Sequence, residues 1–212
     1  MRWKTPIGVS VLSLVLQTVA PAPALAGAPT EQLRGSVDRV LRLVGEPASR
    51  LASTRERRAV VRKIADEIFD WEELSKRSLG THWRERTPAE REEFVRLFAD
   101  LMERSYLAKI DMYDGEKIGY AGDTIEGDQA IVRTKIVNKH GSEMAVNYKM
   151  VHRDERWKVY DVEIEGVSLV ANYRAQFNKI IQRSSFKGLL AQLVAKKQEA
   201  TAELPVKPAS QR

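Results

Sequence analysis

The chain has 212 residues, no cysteine and a formal net charge of +6. Its length fits one domain. The missing thiols exclude disulfides, thiolate metal sites and a cysteine nucleophile, so stability must come from an apolar core.

The first residues predict a leader rather than part of the fold. Arg2 and Lys4 precede an apolar stretch, Ile7 to Val19, and Ala24-Leu25-Ala26 reads as a small-x-small cleavage site. This is the layout of a secretory signal peptide over residues 1–26, with Gly27 as the mature N-terminus. A retained anchor is the alternative, but the run falls short of the about 20 residues a spanning helix needs. No cysteine follows for lipid attachment. Losing Arg2 and Lys4 leaves a smaller cationic excess, and bases alternate with acids, as in Arg55-Glu56-Arg57-Arg58. That is a solvated helix face rather than a nucleic-acid groove.

From Glu31 to Val44, residues Leu33, Val37, Val40, Leu41 and Val44 share one helical face, and Gly45-Glu46-Pro47 ends the helix. A second helix is predicted from Thr54 to about Phe69, with Val60, Val61, Ile64 and Ile68 inward. A short element through Trp71, Leu74 and Leu79 stops at Gly80. Thr87-Pro88-Ala89-Glu90 is a capping sequence for a helix running to about Tyr113. Its apolar band (Phe94, Leu97, Phe98 and Leu101, with Val95, Met102 and Tyr106 beside it) is wider than a surface helix needs.

At Ile118 the period changes to two. A weaker strand spans Ile118 to Ile125. Ala130 to Ile136 and Met144 to Met150 alternate as half-buried strands, and Trp157 to Ile164 carries large residues of both parities, as if covered on both faces. Helical spacing returns with Leu169, Val170, Tyr173, Phe177, Ile180 and Ile181, then with Phe186, Leu189, Leu190, Leu193 and Val194. The predicted class is α+β: a four-stranded twisted antiparallel sheet with helices packed on one face. The domain is expected over 27–198, and the polar, Pro-containing stretch 199–212 is expected to be a disordered tail.

Little in this sequence looks catalytic. His82, His140 and His152 have no partner histidine at helical spacing, so no local zinc pair exists. Gly166-Val167-Ser168 is only half a nucleophile elbow, because Val170 stands where the second glycine belongs. No catalytic residue, metal ligand or cofactor is assigned. Asp161, Glu163 and Glu165 form an acidic ladder, either a carboxylate or cation site or an ordinary solvated strand edge. What remains is abundant apolar surface. Periodicity by itself favours a filled core, and composition does not show whether the interior is full or hollow.

The run from Trp157 to Val170, followed by Asn172-Tyr173-Arg174 and Phe177, resembles the MlaC, or toluene-tolerance auxiliary, family. So do Phe69-Asp70-Trp71, Leu79-Gly80, Trp83, Phe94, Phe98 and Tyr106, in the family's order, over about residues 31 to 195. The resemblance implies a non-enzymatic periplasmic phospholipid carrier of Gram-negative bacteria that holds acyl chains between sheet and helices. It also implies an inner-membrane ABC transporter complex and an outer-membrane lipoprotein complex as partners, with transient membrane contact. A hopanoid or other apolar lipid is the alternative ligand. An enzyme using Asp161 with Tyr160 on a cone-shaped α+β fold is the more distant one. On the carrier reading, Val132, Val146, Tyr148, Val162 and Ile164 are the expected floor of the pocket. Phe98, Leu101, Tyr106, Leu169, Val170, Tyr173 and Phe177 are its expected walls and mouth. The phosphate is expected near solvent beside Arg174 or Lys149, and Gly166 is expected to let the strand–helix junction bend. Two acyl chains would need a cavity at or above the upper end of the usual range of roughly 300–1,000 Å³.

Overall fold

The computed structural model describes residues 28–45, 54–111 and 113–202; the expected leader and residues 203–212 lie outside them. Helix α1 spans Ala28–Gly45 and α2 spans Thr54–Ile68. Within α2, Val61 and Ile64 are buried, but Val60, expected inward, is 43% exposed. Consecutive helical residues point about 100° apart, and the buried stripe of α2 is centred on Val61 and Ile64, which leaves Val60 at its outer margin. Helix α3, Trp71–Leu79, is capped by Asp70, whose carboxylate accepts from Glu73 N–H at 2.9 Å. Gly80, at φ 58°, turns the chain into a 3₁₀ segment, Gly80–Trp83.

Helix α4 spans Pro88–Asp111 and starts with the predicted reciprocal cap. Thr87 N–H donates to the Glu90 carboxylate at 2.9 Å, and Glu90 N–H donates to Thr87 Oγ1 at 3.3 Å.

The sheet is an antiparallel meander of five strands in sequential order. They are β1 (Lys117–Glu126), β2 (Gln129–Val137), β3 (Glu143–Arg153), β4 (Arg156–Ile164) and β5 (Val167–Ser168). The expectation of four strands missed β5, a two-residue strand too short to show a period. Helices α5 (Leu169–Arg183) and α6 (Phe186–Ala202) complete the chain.

A bulge in β4 accounts for its double apolar parity. Asp161 pairs with Lys149 and Val159 with Met150, so Tyr160 is an extra residue. On either side of it Trp157, Val159, Val162 and Ile164 keep to one face, although their sequence parities differ. Helix α1 lies on that face, with Leu33 packed among Val132, Met150 and Val159. Its first turn is held by Asp123 of β1, which accepts from Thr30 N–H at 3.1 Å and from Thr30 Oγ1 at 2.6 Å. Gln32 exchanges two hydrogen bonds with the Trp157 backbone.

Contrary to the expectation that the helices pack on one face of the sheet, the other helices do not all cover it. Helices α3 to α6 assemble a second core of their own around Leu79, Phe94, Phe98, Phe177 and Leu189. They meet the sheet chiefly where α3 and α5 touch β4. Phe69 and Leu169 pack against both cores.

Polar ties hold the helices in register. Asp100 on α4 is 5% exposed and accepts from Arg62 of α2 at 3.0 Å and from Lys197 of α6 at 2.6 Å. Burial works to raise the Asp100 carboxyl, but the bonds from Lys197 and Arg62 override it and hold the group below its ordinary value. A carboxylate depressed in the folded state contributes stability that is complete above its unfolded value, about 4, and is lost as pH falls through the folded one. Glu103, also on Arg62, is shifted the opposite way by burial and runs against this trend. Asp100→Asn is expected to cost about 1–2 kcal/mol at neutral pH, since both cationic partners are half in water. It should also flatten the acid limb of stability against pH, which urea melts from neutral to acidic pH would measure.

Candidate functional site

The two cores meet at a cleft, and its position follows from how β4 hands over to α5. Glu165 and Gly166 have φ of 49° and 79°, the positive pair of a tight two-residue hairpin. A Cβ at Gly166 would meet nothing within 4 Å, so glycine serves the backbone angle there, not a lack of room. The turn folds β5 back on β4, pairing Ser168 with Glu163, so α5 starts directly beside Val162.

Asp161 secures that start. It is 4% exposed and accepts from Ser168 Oγ at 2.7 Å and from Val170 N–H at 3.0 Å. Ser168 Oγ in turn caps Ala171 N–H at 3.0 Å. Free N–H groups at a helix N-terminus favour a carboxylate, so the contact is both cap and tether. Lys149 lies 3.4 Å from Asp161 and 3.3 Å from Glu163. Half-burial works against its charge, but the two carboxylates hold the ammonium above its ordinary value.

The acidic ladder is thus divided by role. Asp161 caps a helix, Glu163 pairs with Lys149 and Asn147, and Glu165 accepts from Ala145 N–H. No group of acids and histidines among the described residues could hold a metal. Tyr160, which the enzyme alternative would use with Asp161, bonds Gln129 and lies under the Arg77 guanidinium.

The cleft is narrow and holds no free space that would admit a water molecule. Leu74 and Ser78 of α3, Phe98 and Met102 of α4, Val162 of β4, and Leu169, Val170 and Tyr173 of α5 line it. Of the predicted site, the fold brings Phe98, Val162, Leu169, Val170 and Tyr173 together here. Phe177 stands behind them, its ring 5.0 Å from Phe98 and 5.5 Å from Tyr173, and Leu101 packs on the same helical core. Val132, Val146, Tyr148 and Ile164 belong to the sheet-side core and do not border the cleft. Burial pushes the Tyr148 hydroxyl up to about 12. The Tyr106 side chain lies outside what the structure describes. Arg174 is exposed and donates through Nε to the Arg77 carbonyl at 2.7 Å.

Three lining residues, Leu74, Ser78 and Met102, are not among the site residues expected from the sequence. Leu74 and Met102 are visible in the sequence as apolar positions, but nothing separates them from ordinary core. Ser78 carries no apolar signal at all.

The volume differs from expectation. The cleft has no room for even a water-sized molecule, against the roughly 300 Å³ at which ligand pockets usually begin. The walls instead fill the space themselves: Phe98 is 0% exposed and Val170 5%. The arrangement is a closed seam between two independently packed cores. Opening it means moving helices relative to the sheet, not emptying a rigid cup. Among the described residues, no helix is long and apolar enough to cross a membrane.

Comparison with known proteins agrees with this architecture. A solved phospholipid-binding protein from Ralstonia solanacearum, in complex with a phospholipid, shares the fold. Its TM-score is 0.70 at 23% identity, over 82% of this chain and 98% of that one. The intermembrane phospholipid transport system binding protein MlaC of Haemophilus influenzae is 23% identical over 141 residues. That alignment takes in 64% of this chain and just under two thirds, 66%, of the relative. The family profile described as MlaC protein matches residues 34–195, which spans the helix–sheet–helix core from α1 to α6, and the chain belongs to the MlaC family.

Proposed function

We propose that this protein is a periplasmic phospholipid carrier, and that acyl chains enter by parting the seam between β4 and the helices. The observation that carries the reading is the division of the interior into two apolar cores meeting at one cleft, with Val162 on one side and Phe98, Val170 and Tyr173 on the other. Membership of the MlaC family supports it. The Haemophilus relative is named for phospholipid transport, and the Ralstonia protein carries a phospholipid.

Transfer energetics favour a seam over a permanent cavity. Each methylene removed from water gains about 0.8 kcal/mol, so two chains of about 15 methylenes gain roughly 24 kcal/mol in gross terms. Free diffusion through water is therefore prohibitive. A carrier must approximately match the bilayer, or it can neither extract lipid nor release it. A seam that closes on its own side chains keeps its walls dry when empty. Parting those contacts on loading offsets part of the chain's gain and brings affinity towards that of a membrane. The hydrophobic effect carries no directional demand, so chain length and unsaturation can vary. An inner-membrane ABC transporter and an outer-membrane lipoprotein complex are the partners that fit this role, and the 1–26 leader fits export.

The test is lipid extraction and native mass spectrometry of the protein purified from its own host's periplasm. Phospholipid at a fixed ratio to protein is the expected result. Recovery of a hopanoid in its place would redirect the ligand, and recovery of no lipid from protein that is folded and exported would overturn the carrier reading.

A further inference from the structure

Ser78 is the one hydroxyl-bearing small residue on the cleft wall, and it is out of place there. It lies on α3, is 0% exposed, and its Oγ has no hydrogen-bond partner among the described residues. Its neighbours across the cleft are Phe98, Met102, Val162 and Val170. A buried hydroxyl without a partner costs about 1–3 kcal/mol, and alanine would fill the same helical position without that penalty. Acyl methylenes cannot satisfy the group, since they neither donate nor accept. Below its headgroup, a diacyl phospholipid has one kind of strong acceptor: the carbonyl oxygens of its two glycerol esters.

We propose that Ser78 is a ligand-reading residue that donates its hydroxyl proton to an ester carbonyl of the bound lipid as the seam opens. The assignment rests on the carrier reading and narrows it. The ligand class becomes ester-linked glycerolipids, chosen over ether-linked lipids and over polycyclic hydrocarbons that lack the carbonyl. It also sets a depth: the glycerol backbone lies against α3, with the chains running inward past Phe98 and Val162. Ser75, one turn earlier, is likewise unpartnered and 1% exposed, but it does not border the cleft, which makes it an internal control.

The test uses the delipidated full-length protein and vesicles containing equal amounts of dipalmitoyl phosphatidylethanolamine and its dihexadecyl ether counterpart. The two lipids share headgroup and chain length and differ at the carbonyls. Native mass spectrometry reads which is captured. The wild-type protein should be enriched in the ester lipid by about three- to tenfold, the worth of one neutral hydrogen bond in dry surroundings. Ser78→Ala should take both lipids equally and melt no lower than wild type, whereas Ser75→Ala should keep the wild-type preference. Equal capture by the wild type overturns the assignment without needing any variant, and so does an undiminished ester preference in Ser78→Ala. Capture of neither lipid would overturn the carrier reading itself and this assignment with it.

Discussion

Val170→Arg should abolish lipid retention. Val170 is 5% exposed, lines the cleft on the first turn of α5, and its backbone N–H is already held by Asp161. A guanidinium there has two outcomes, and neither leaves an apolar seam. It stays within the seam and imposes a desolvation cost of several kcal/mol on any acyl chain laid beside it. Otherwise it swings outward and drags the start of α5 away from β4. Phosphate extracted per mole of protein should fall from the wild-type ratio to near background. A thermal melt of the same sample separates loss of binding from loss of fold. Asp161 lies nearby as a possible partner for the new cation, so the variant should remain folded although weakened. A Val170→Arg protein that melts normally and still carries lipid at the wild-type ratio would sink the assignment of this cleft.

Phe98→Ala should have the largest effect on stability, at about 3–5 kcal/mol. The Phe98 ring is 0% exposed and lies 5.0 Å from Tyr173, 5.0 Å from Phe177 and 5.6 Å from Phe94. Removing it takes away transfer energy and edge-to-face contacts and leaves a hole at the centre of the helical core. Because that hole opens onto the cleft, binding should move the other way. The walls have less to give up on opening, so added phospholipid should recover part of the lost stability. Urea melts with and without vesicle-derived lipid would show it as a larger lipid-induced shift in Phe98→Ala than in wild type. An equal shift in both proteins would mean the cleft is not where the chains lie.

The aromatic cluster and the two cores suggest a division of labour. The helical unit is locked by rings and by the Asp100 tie to Lys197, while the bond from Arg62 to Asp100 joins it to α2. The sheet unit is locked by the ladder and by α1 through Asp123 and Gln32. Among the described residues, polar bonds join the two, including the Asp70 N–H donated to the Val159 carbonyl at 2.9 Å. Asp161 reaches the α5 N-terminus, and Arg153 of β3 reaches Asp70 at 3.2 Å and Glu73 at 3.1 Å on α3.

Much of this was legible in the chain itself. The cap at Thr87 and Glu90, the stripes of α4 and α5, and the alternation in β2 and β3 are local, and local chemistry decides them. The family likeness rested on the Trp157–Phe177 run, whose residues make the β4–α5 junction. Local reading failed where partners distant in sequence decide. Val60 and Val61 are adjacent, and only packing chooses which one is buried. β4 is buried at residues of both parities, and part of that double parity comes from the extra residue at Tyr160, which no periodicity within one strand reveals.

The amino-acid order by itself determined the helices and the four longer strands, that the core is apolar and free of disulfides, and which family the chain resembles. Those properties depend on neighbours within a turn or two, or on a long ordered motif. Tertiary structure decided that the interior is two cores rather than one, that their junction is shut, that Asp161 is a helix cap and that Ser78 is stranded among hydrocarbon. Each of these is a statement about which surfaces meet, and complementary packing between segments far apart in the chain is the physical term that a linear pattern of residues does not contain.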